Sequence, residues 1–123
     1  MKQLLLVFLG GGFGSVLRFY ISKNLNNYFS NFYLGTFLVN ILGCLIIGFL
    51  IGLSIKNNYL TENQTLLLAT GFCGGFTTFS TFALENHSLL KSGDIFPFIF
   101  YTLISIIIGI ASISLGFWTS KFI

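Results

Sequence analysis

Four long apolar stretches, separated by short polar ones, run through the chain. They cover about residues 3–22, 33–55, 65–90 and 95–120. A helix needs about 20 apolar residues to cross the hydrocarbon of a bilayer, and each stretch is long enough. The intervening segments are rich in turn formers: Lys23-Asn24-Leu25-Asn26-Asn27 with Asn31, then Lys56 to Asn63 with Asn57-Asn58. Thr61 followed by Glu62 reads as a helix start, with an acid near the positive end of the helix dipole. Asp94 and Pro97 mark the start of the fourth helix in the same way. The pattern predicts an all-α membrane protein: one domain, 1–123, of four transmembrane helices.

The third stretch departs from a plain spanning helix. It contains Gly71-Phe72-Cys73-Gly74-Gly75-Phe76-Thr77-Thr78-Phe79-Ser80-Thr81-Phe82. Glycine gives up the most backbone freedom in a helix. Thr and Ser side chains compete for the backbone groups that make the helical ladder. The sequence predicts that this helix breaks near its middle, around residues 74–79. Irregular backbone at membrane depth is tolerated only where protein or a watery cavity surrounds it. A break therefore implies something that covers it.

Composition strengthens the membrane reading. The chain is 54% hydrophobic and 7% charged, whereas soluble domains carry about 25% charged residues. A net charge of +3, spread along the chain, is too small and too scattered for a nucleic-acid footprint. Cys44 and Cys73 sit inside apolar stretches, match no metal-ligand spacing, and read as small buried hydrophobes. Lys2 before an apolar run looks like a signal peptide, but no small-residue cleavage site follows, so this is expected to be a retained first span. Four spans put Lys2, Lys56 and Lys121 on one side and Arg18, Lys23 and Lys91 on the other. Lys/Arg imbalance normally sets orientation, and here there is none. The balance favours insertion both ways and an antiparallel homodimer that covers the break; a single orientation set by other features is the competing reading.

Several polar residues lie inside the spans. Gly10 and Gly14, and again Gly48 and Gly52, are spaced for close helix approach. The run Gly10-Gly11-Gly12-Phe13-Gly14-Ser15 is not a dinucleotide fingerprint: its last position is Ser and no βαβ context surrounds it. Arg18 is either a snorkelling anchor or a vestibule cation. Asn40 needs a partner in lipid, either another helix or a passing anion. Tyr101, Ser105 and Ser112 recur at offsets of four and seven on the fourth span, close to one face. Such a stripe faces protein or water, unless the hydroxyls bond their own helix. Glu85 is an intramembrane acid, a proton site or gate unless it reaches the headgroups. His87, near the helix end, reads as interfacial.

The break itself suggests chemistry. Carbonyls before it lose their helical partners, so oxygens of Gly74 and Thr77 from two antiparallel copies are candidates for a hard monovalent cation, with structural water as the alternative. After the break a new helix begins, and its free N–H groups attract anions. Thr77, Thr78, Ser80 and Thr81 add hydroxyl donors. Phe79 and Phe82 share a face, and phenyl edges carry positive potential. Two rings presented edge-on would stabilise a small anion while excluding water. Aromatic stripes are more often core or lipid-facing, and the surrounding glycines and hydroxyls are what set this one apart.

Taken together, Gly-Gly-x-x-Gly ahead of Arg18, Gly35-Thr36-x-x-Val39-Asn40-x-x-Gly43, and Gly74-Gly75-x-Thr77-Thr78-Phe79-Ser80-Thr81-Phe82 resemble the bacterial fluoride channel family, Fluc, also called CrcB. The resemblance covers essentially the whole chain, and the third motif is highly specific. It implies an antiparallel dual-topology homodimer in the cell membrane, with two pores that let cytoplasmic fluoride leave passively. It implies a structural sodium ion held by backbone carbonyls of Gly74 and Thr77. It implies pore roles for Asn40, Phe79 and Phe82, a polar track through Ser80, Thr81, Tyr101 and Ser105, and matches Arg18 and Glu85 to the family's vestibule arginine and its glutamate. Tyr33 stands where the family often has Pro, and Ser15 where it often has Ala. The competing function is a small dual-topology proton-coupled drug or cation antiporter, which needs a buried acid, usually in the first span; that span has none. An enzyme is not expected, since no metal cluster or nucleophile–base set appears. A non-conducting scaffold would leave the hydroxyl-rich break unexplained.

Overall fold

The computed structural model describes residues 1–56 and 59–123, so the expected turn residues Asn57 and Asn58 lie outside the described part. Helix α1 spans Lys2–Leu25 and α2 spans Leu34–Ile55. The third membrane segment is composite: α3 (Glu62–Thr65), a π-helical stretch (Leu66–Cys73), α4 (Gly74–Phe76) and, after an extended step, α5 (Phe79–Lys91). Helix α6 (Ile95–Thr119) ends in a 3-10 turn, Ser120–Phe122. Four segments, Lys2–Leu25, Leu34–Ile55, Glu62–Lys91 and Ile95–Phe122, are long and apolar enough to cross a membrane. Large apolar side chains such as Phe8 and Phe19 on α1 and Ile107 and Trp118 on α6 point outward, as a lipid-facing exterior requires. The molecule is an all-helical, multi-pass integral membrane protein, and its third segment is bent where the glycines and hydroxyls cluster.

The start of α3 follows from its sequence. Thr61 Oγ1 accepts from the Gln64 N–H, and Gln64 Oε1 accepts from the Thr61 N–H, a reciprocal cap that satisfies two orphan donors. Gln3 donates to Glu62 at 3.1 Å and Lys56 Nζ to the Lys121 carbonyl at 2.6 Å. These contacts gather both termini and the turn after α2 at one end of the bundle. The positive side chains therefore divide three and three between the ends, as the sequence predicts for an up-and-down four-helix path.

Close packing depends on glycine faces. A Cβ at Gly10 or Gly14 would run into the carbonyls of Leu67 and Phe72 on the π-helical stretch. One at Gly75 would run into the backbone of Gly11. Helix α1 thus lies backbone to backbone against the third segment. Helices α2 and α6 do the same through Gly48 and Gly116, which face the Ile113 and Leu45 carbonyls. Without a hydrophobic drive between helices in lipid, such contact is what holds them together. Gly14→Val should lower thermal stability in detergent by about 3 kcal/mol, the upper end of overpacking costs, because backbone has nowhere to move. Gly12→Ala, whose Cβ meets nothing within 4 Å, is the matched control. The retained monodisperse peak after a heat challenge separates the two variants; equal curves for Gly14→Val and Gly12→Ala would show that this face does not hold α1.

The π-helical stretch is not signalled by the sequence, which reads there as an ordinary apolar helix. It occupies eight residues, separated from the break by the short α4, and such wide turns concentrate at functional sites.

Candidate functional site

The break is made by two residues and fixed by two side chains. Thr77 has ψ 156° and Thr78 has φ −149° and ψ 118°, so the backbone is extended for one step between α4 and α5. In an unbroken helix the Thr78 N–H would bond the Gly74 carbonyl. Here it donates instead to Asn40 Oδ1 at 2.7 Å. Likewise the Thr81 N–H would bond the Thr77 carbonyl; it donates instead to Thr78 Oγ1 at 3.2 Å, the N-cap of α5. The carbonyls of residues 74–77 lose their helical partners; that of Gly75 accepts from Ser15 Oγ at 3.3 Å, and those of Gly74 and Thr77 are the two singled out in the sequence. Asn40 closes the clip by donating through Nδ2 to the Thr78 carbonyl at 3.1 Å.

A groove of about 560 Å³ opens beside the break. Asn40, Gly74, Thr77, Phe79, Phe82 and Ser105 all line it, so six of the residues singled out in the sequence meet in one place. Gly74 is exposed there, with open space where a Cβ would stand. An oxygen-only donor set of backbone carbonyls suits a hard cation and no soft metal. Asn40 is an interhelical clip, yet an amide NH₂ carries two donors, and the second remains for the groove. The rings of Phe79 and Phe82 lie 6.2 Å apart and tilted at 48°. Phe79 is 80% exposed. The Ser105 hydroxyl is buried without a hydrogen-bond partner. Cys44 and Cys73 also border the groove as free thiols; Cys73 is packed with Leu50 and Ala69.

Below Phe82 the polar residues form a second cluster. Phe82 lies 5.3 Å from the Tyr101 ring. The Tyr101 hydroxyl donates to Glu85 Oε2 at 2.7 Å, and Thr36 Oγ1 donates to Glu85 Oε1 at 2.6 Å. Asn26 Nδ2 adds a third donor to Oε1 at 3.3 Å. Tyr101 and Thr36 are wholly buried and Glu85 is nearly so. A carboxylate out of water needs such donors, and the cluster provides one or two for each oxygen. Next to it Thr102 Oγ1 donates to Asn86 Oδ1 at 2.8 Å.

The structure does not bring every expected residue here. Ser80 is exposed at the start of α5, and Thr81 is engaged with Thr78 Oγ1, which donates to its hydroxyl at 3.1 Å. Arg18 is half-buried on α1 and stands outside the Glu85 cluster, and His87 is exposed near the end of α5. Sequence reasoning missed Asn26 and, beyond its place in a motif, Thr36. The signal that points to them is weak: two polar residues flanking the entry to α2, each without an obvious partner.

The chain is similar to known proteins along nearly its whole length. The family described as "CrcB-like protein, Camphor Resistance (CrcB)" matches residues 5–117. The chain is 50% identical to the "Fluoride-specific ion channel FluC" of Azobacteroides pseudotrichonymphae over 123 residues, 99% of this chain and 98% of the relative. It is 47% identical to the protein of that name from Phocaeicola vulgatus, covering 98% of this chain and 100% of the relative. It is 48% identical to that of Gloeothece citriformis, covering 98% of each. With the family match running across most of its length and these relatives aligned nearly end to end, the chain belongs to the CrcB-like family.

Proposed function

We propose that this protein is a fluoride channel that lets cytoplasmic fluoride leave the cell down its electrochemical gradient. The observation that carries the reading is the clipped break: Asn40 and Thr78 hold α5 open at its N-terminus, directly on a groove flanked by Phe79 and Phe82. The first N–H groups of α5, on Phe79 and Ser80, precede any intrahelical acceptor. A small anion stripped of water is stabilised there by those donors, by the second Asn40 N–H and by ring edges. The Ser105 hydroxyl and the Tyr101–Glu85 cluster continue a polar path away from the rings. Several weak, adjacent contacts let an ion enter and still leave.

The working unit in this reading is an antiparallel homodimer with two pores. The exposed Phe79, the open groove and the even split of charges support it. Gly74 and Thr77 of each copy would hold one sodium ion through their freed carbonyls. When bound, that ion supplies a fixed positive charge where two broken helices meet. Direction comes from the membrane: a negative interior drives an anion outward by about 2.3 kcal/mol per 100 mV. Fluoride enters acidified cells as the neutral acid and is trapped as the ion, so passive exit is protective.

Purified protein in KF-loaded liposomes, with valinomycin to carry potassium, tests this directly. A fluoride electrode should record rapid loss, while a chloride electrode on a matched KCl set records retention. Retained fluoride in vesicles that demonstrably hold the protein would sink the reading and turn attention to proton-coupled cation transport, with Glu85→Gln as the discriminating variant.

A further inference from the structure

We propose that Asn26, at the end of α1, is a positioning residue for the anion pathway: it aims the Glu85 carboxylate and ties it to the entry of α2. This rests on the channel reading above. Asn26 is the residue just beyond the last turn of α1, and its N–H closes that turn on the Ser22 carbonyl at 3.0 Å. Its side chain then makes three contacts on two other segments. Oδ1 accepts from the Thr36 N–H at 2.9 Å, in the first turn of α2. Nδ2 donates to Thr36 Oγ1 at 3.1 Å and to Glu85 Oε1 at 3.3 Å. The Thr36 hydroxyl gives its own proton to the same carboxylate oxygen. One amide thus serves a helix start, the hydroxyl that grips Glu85, and Glu85 itself.

The approach is built into the backbone. Gly35 lies against this corner: a Cβ there would stand 2.7 Å from Ser22 Cα and 2.8 Å from Asn26 Oδ1. Only glycine lets α1 and the Asn26 side chain come this close to α2. Oε1 faces Asn26 and Thr36, and Oε2 faces Tyr101, whose ring lies under Phe82. If the Asn26 donor is removed, one side of the carboxylate loses a partner and the group turns toward Tyr101 and the rings. The turn between α1 and α2 is thereby linked to the pore.

The test separates aiming Glu85 from merely anchoring the turn. Asn26→Asp keeps an oxygen for the Thr36 N–H but replaces the donor facing Glu85 with a second acceptor. Its maximal fluoride efflux from proteoliposomes should fall by about tenfold, the scale of one lost charge-assisted contact. In a Glu85→Gln background, where the side-chain amide at position 85 donates to the new acid, Asn26→Asp should cost less than about threefold more, a coupling that only interacting residues show. An anchoring role predicts wild-type efflux for Asn26→Asp, or the same loss in both backgrounds, and either result overturns the proposal. Asn26→Ala, run through the same cycle, gives a second reading if Asn26→Asp does not yield a monodisperse protein. Wild-type protein that fails to conduct fluoride overturns the channel reading instead, so the two failures are distinguishable.

Discussion

Phe82→Ile is expected to reduce fluoride efflux at least about 100-fold, while the protein still purifies as a single species. Isoleucine retains most of the apolar volume of phenylalanine, so packing against Tyr101 survives. What it lacks is a ring edge. Phe82 lines the groove and is half-buried, with Tyr101 on one side at 5.3 Å and Phe79 on the other at 6.2 Å. Held between two rings, it presents a fixed edge rather than a mobile one. An anion that has shed its water needs every donor along the path. Removing about 2.7 kcal/mol of stabilisation beside the rings is a factor of about 100 in rate. Phe79→Ile, on a ring 80% exposed in one chain, should lose a comparable amount only if a second copy confines that ring. Efflux by fluoride electrode, with gel filtration as the folding control, reads both. If Phe82→Ile conducts within about threefold of wild type, the hydroxyls at the start of α5 carry the anion and the rings serve as walls.

Much of this was legible in the chain because it depended on local chemistry. Four apolar stretches give four spans. Adjacent glycines followed by hydroxyl residues give a break, and the Gly74 and Thr77 carbonyls were identifiable as two of the oxygens it frees. Paired glycines gave the close faces of α1 and α2. What escaped was set by contacts across long sequence distances. Glu85 takes a donor from Asn26, 59 residues earlier, and another from Thr36, 49 residues earlier. No periodicity links those positions. An asparagine in a polar run looks like any turn former until its amide is seen on a carboxylate. The π-helical Leu66–Cys73 was hidden for a different reason: its wider turn is a property of backbone pairing rather than of side-chain pattern. Ser80 and Thr81 show the opposite case. They look equally available in sequence, yet Thr81 is bound to the cap of its own helix.

Asn40 decides whether the break exists at all, so its removal should have the other large effect. Both of its amide atoms are on the Thr78 backbone, the N–H at 2.7 Å and the carbonyl at 3.1 Å. Thr78 is 6% exposed, and an unpaired buried backbone group costs about 1–3 kcal/mol. Asn40→Ala leaves two such groups in a place with little water to repair them. The nearest alternative acceptor for the Thr78 N–H is the one helix geometry provides, the Gly74 carbonyl. Taking it would straighten the segment, withdraw one of the freed oxygens and bury the first donors of α5. Fluoride efflux should therefore fall to the level of empty liposomes, and the midpoint of heat-induced aggregation should drop. Asn40→Asp separates the two roles. It keeps an acceptor for the Thr78 N–H, so the step between α4 and α5 persists and stability falls less. It loses both amide donors and sets a negative charge beside the groove, where it repels an anion. Efflux should still be abolished. Loss of conduction in both variants with a smaller loss of stability in Asn40→Asp is the signature of an amide that both opens the helix and faces the ion. Wild-type conduction by Asn40→Ala would mean that the glycines and the Thr78 cap hold the break by themselves.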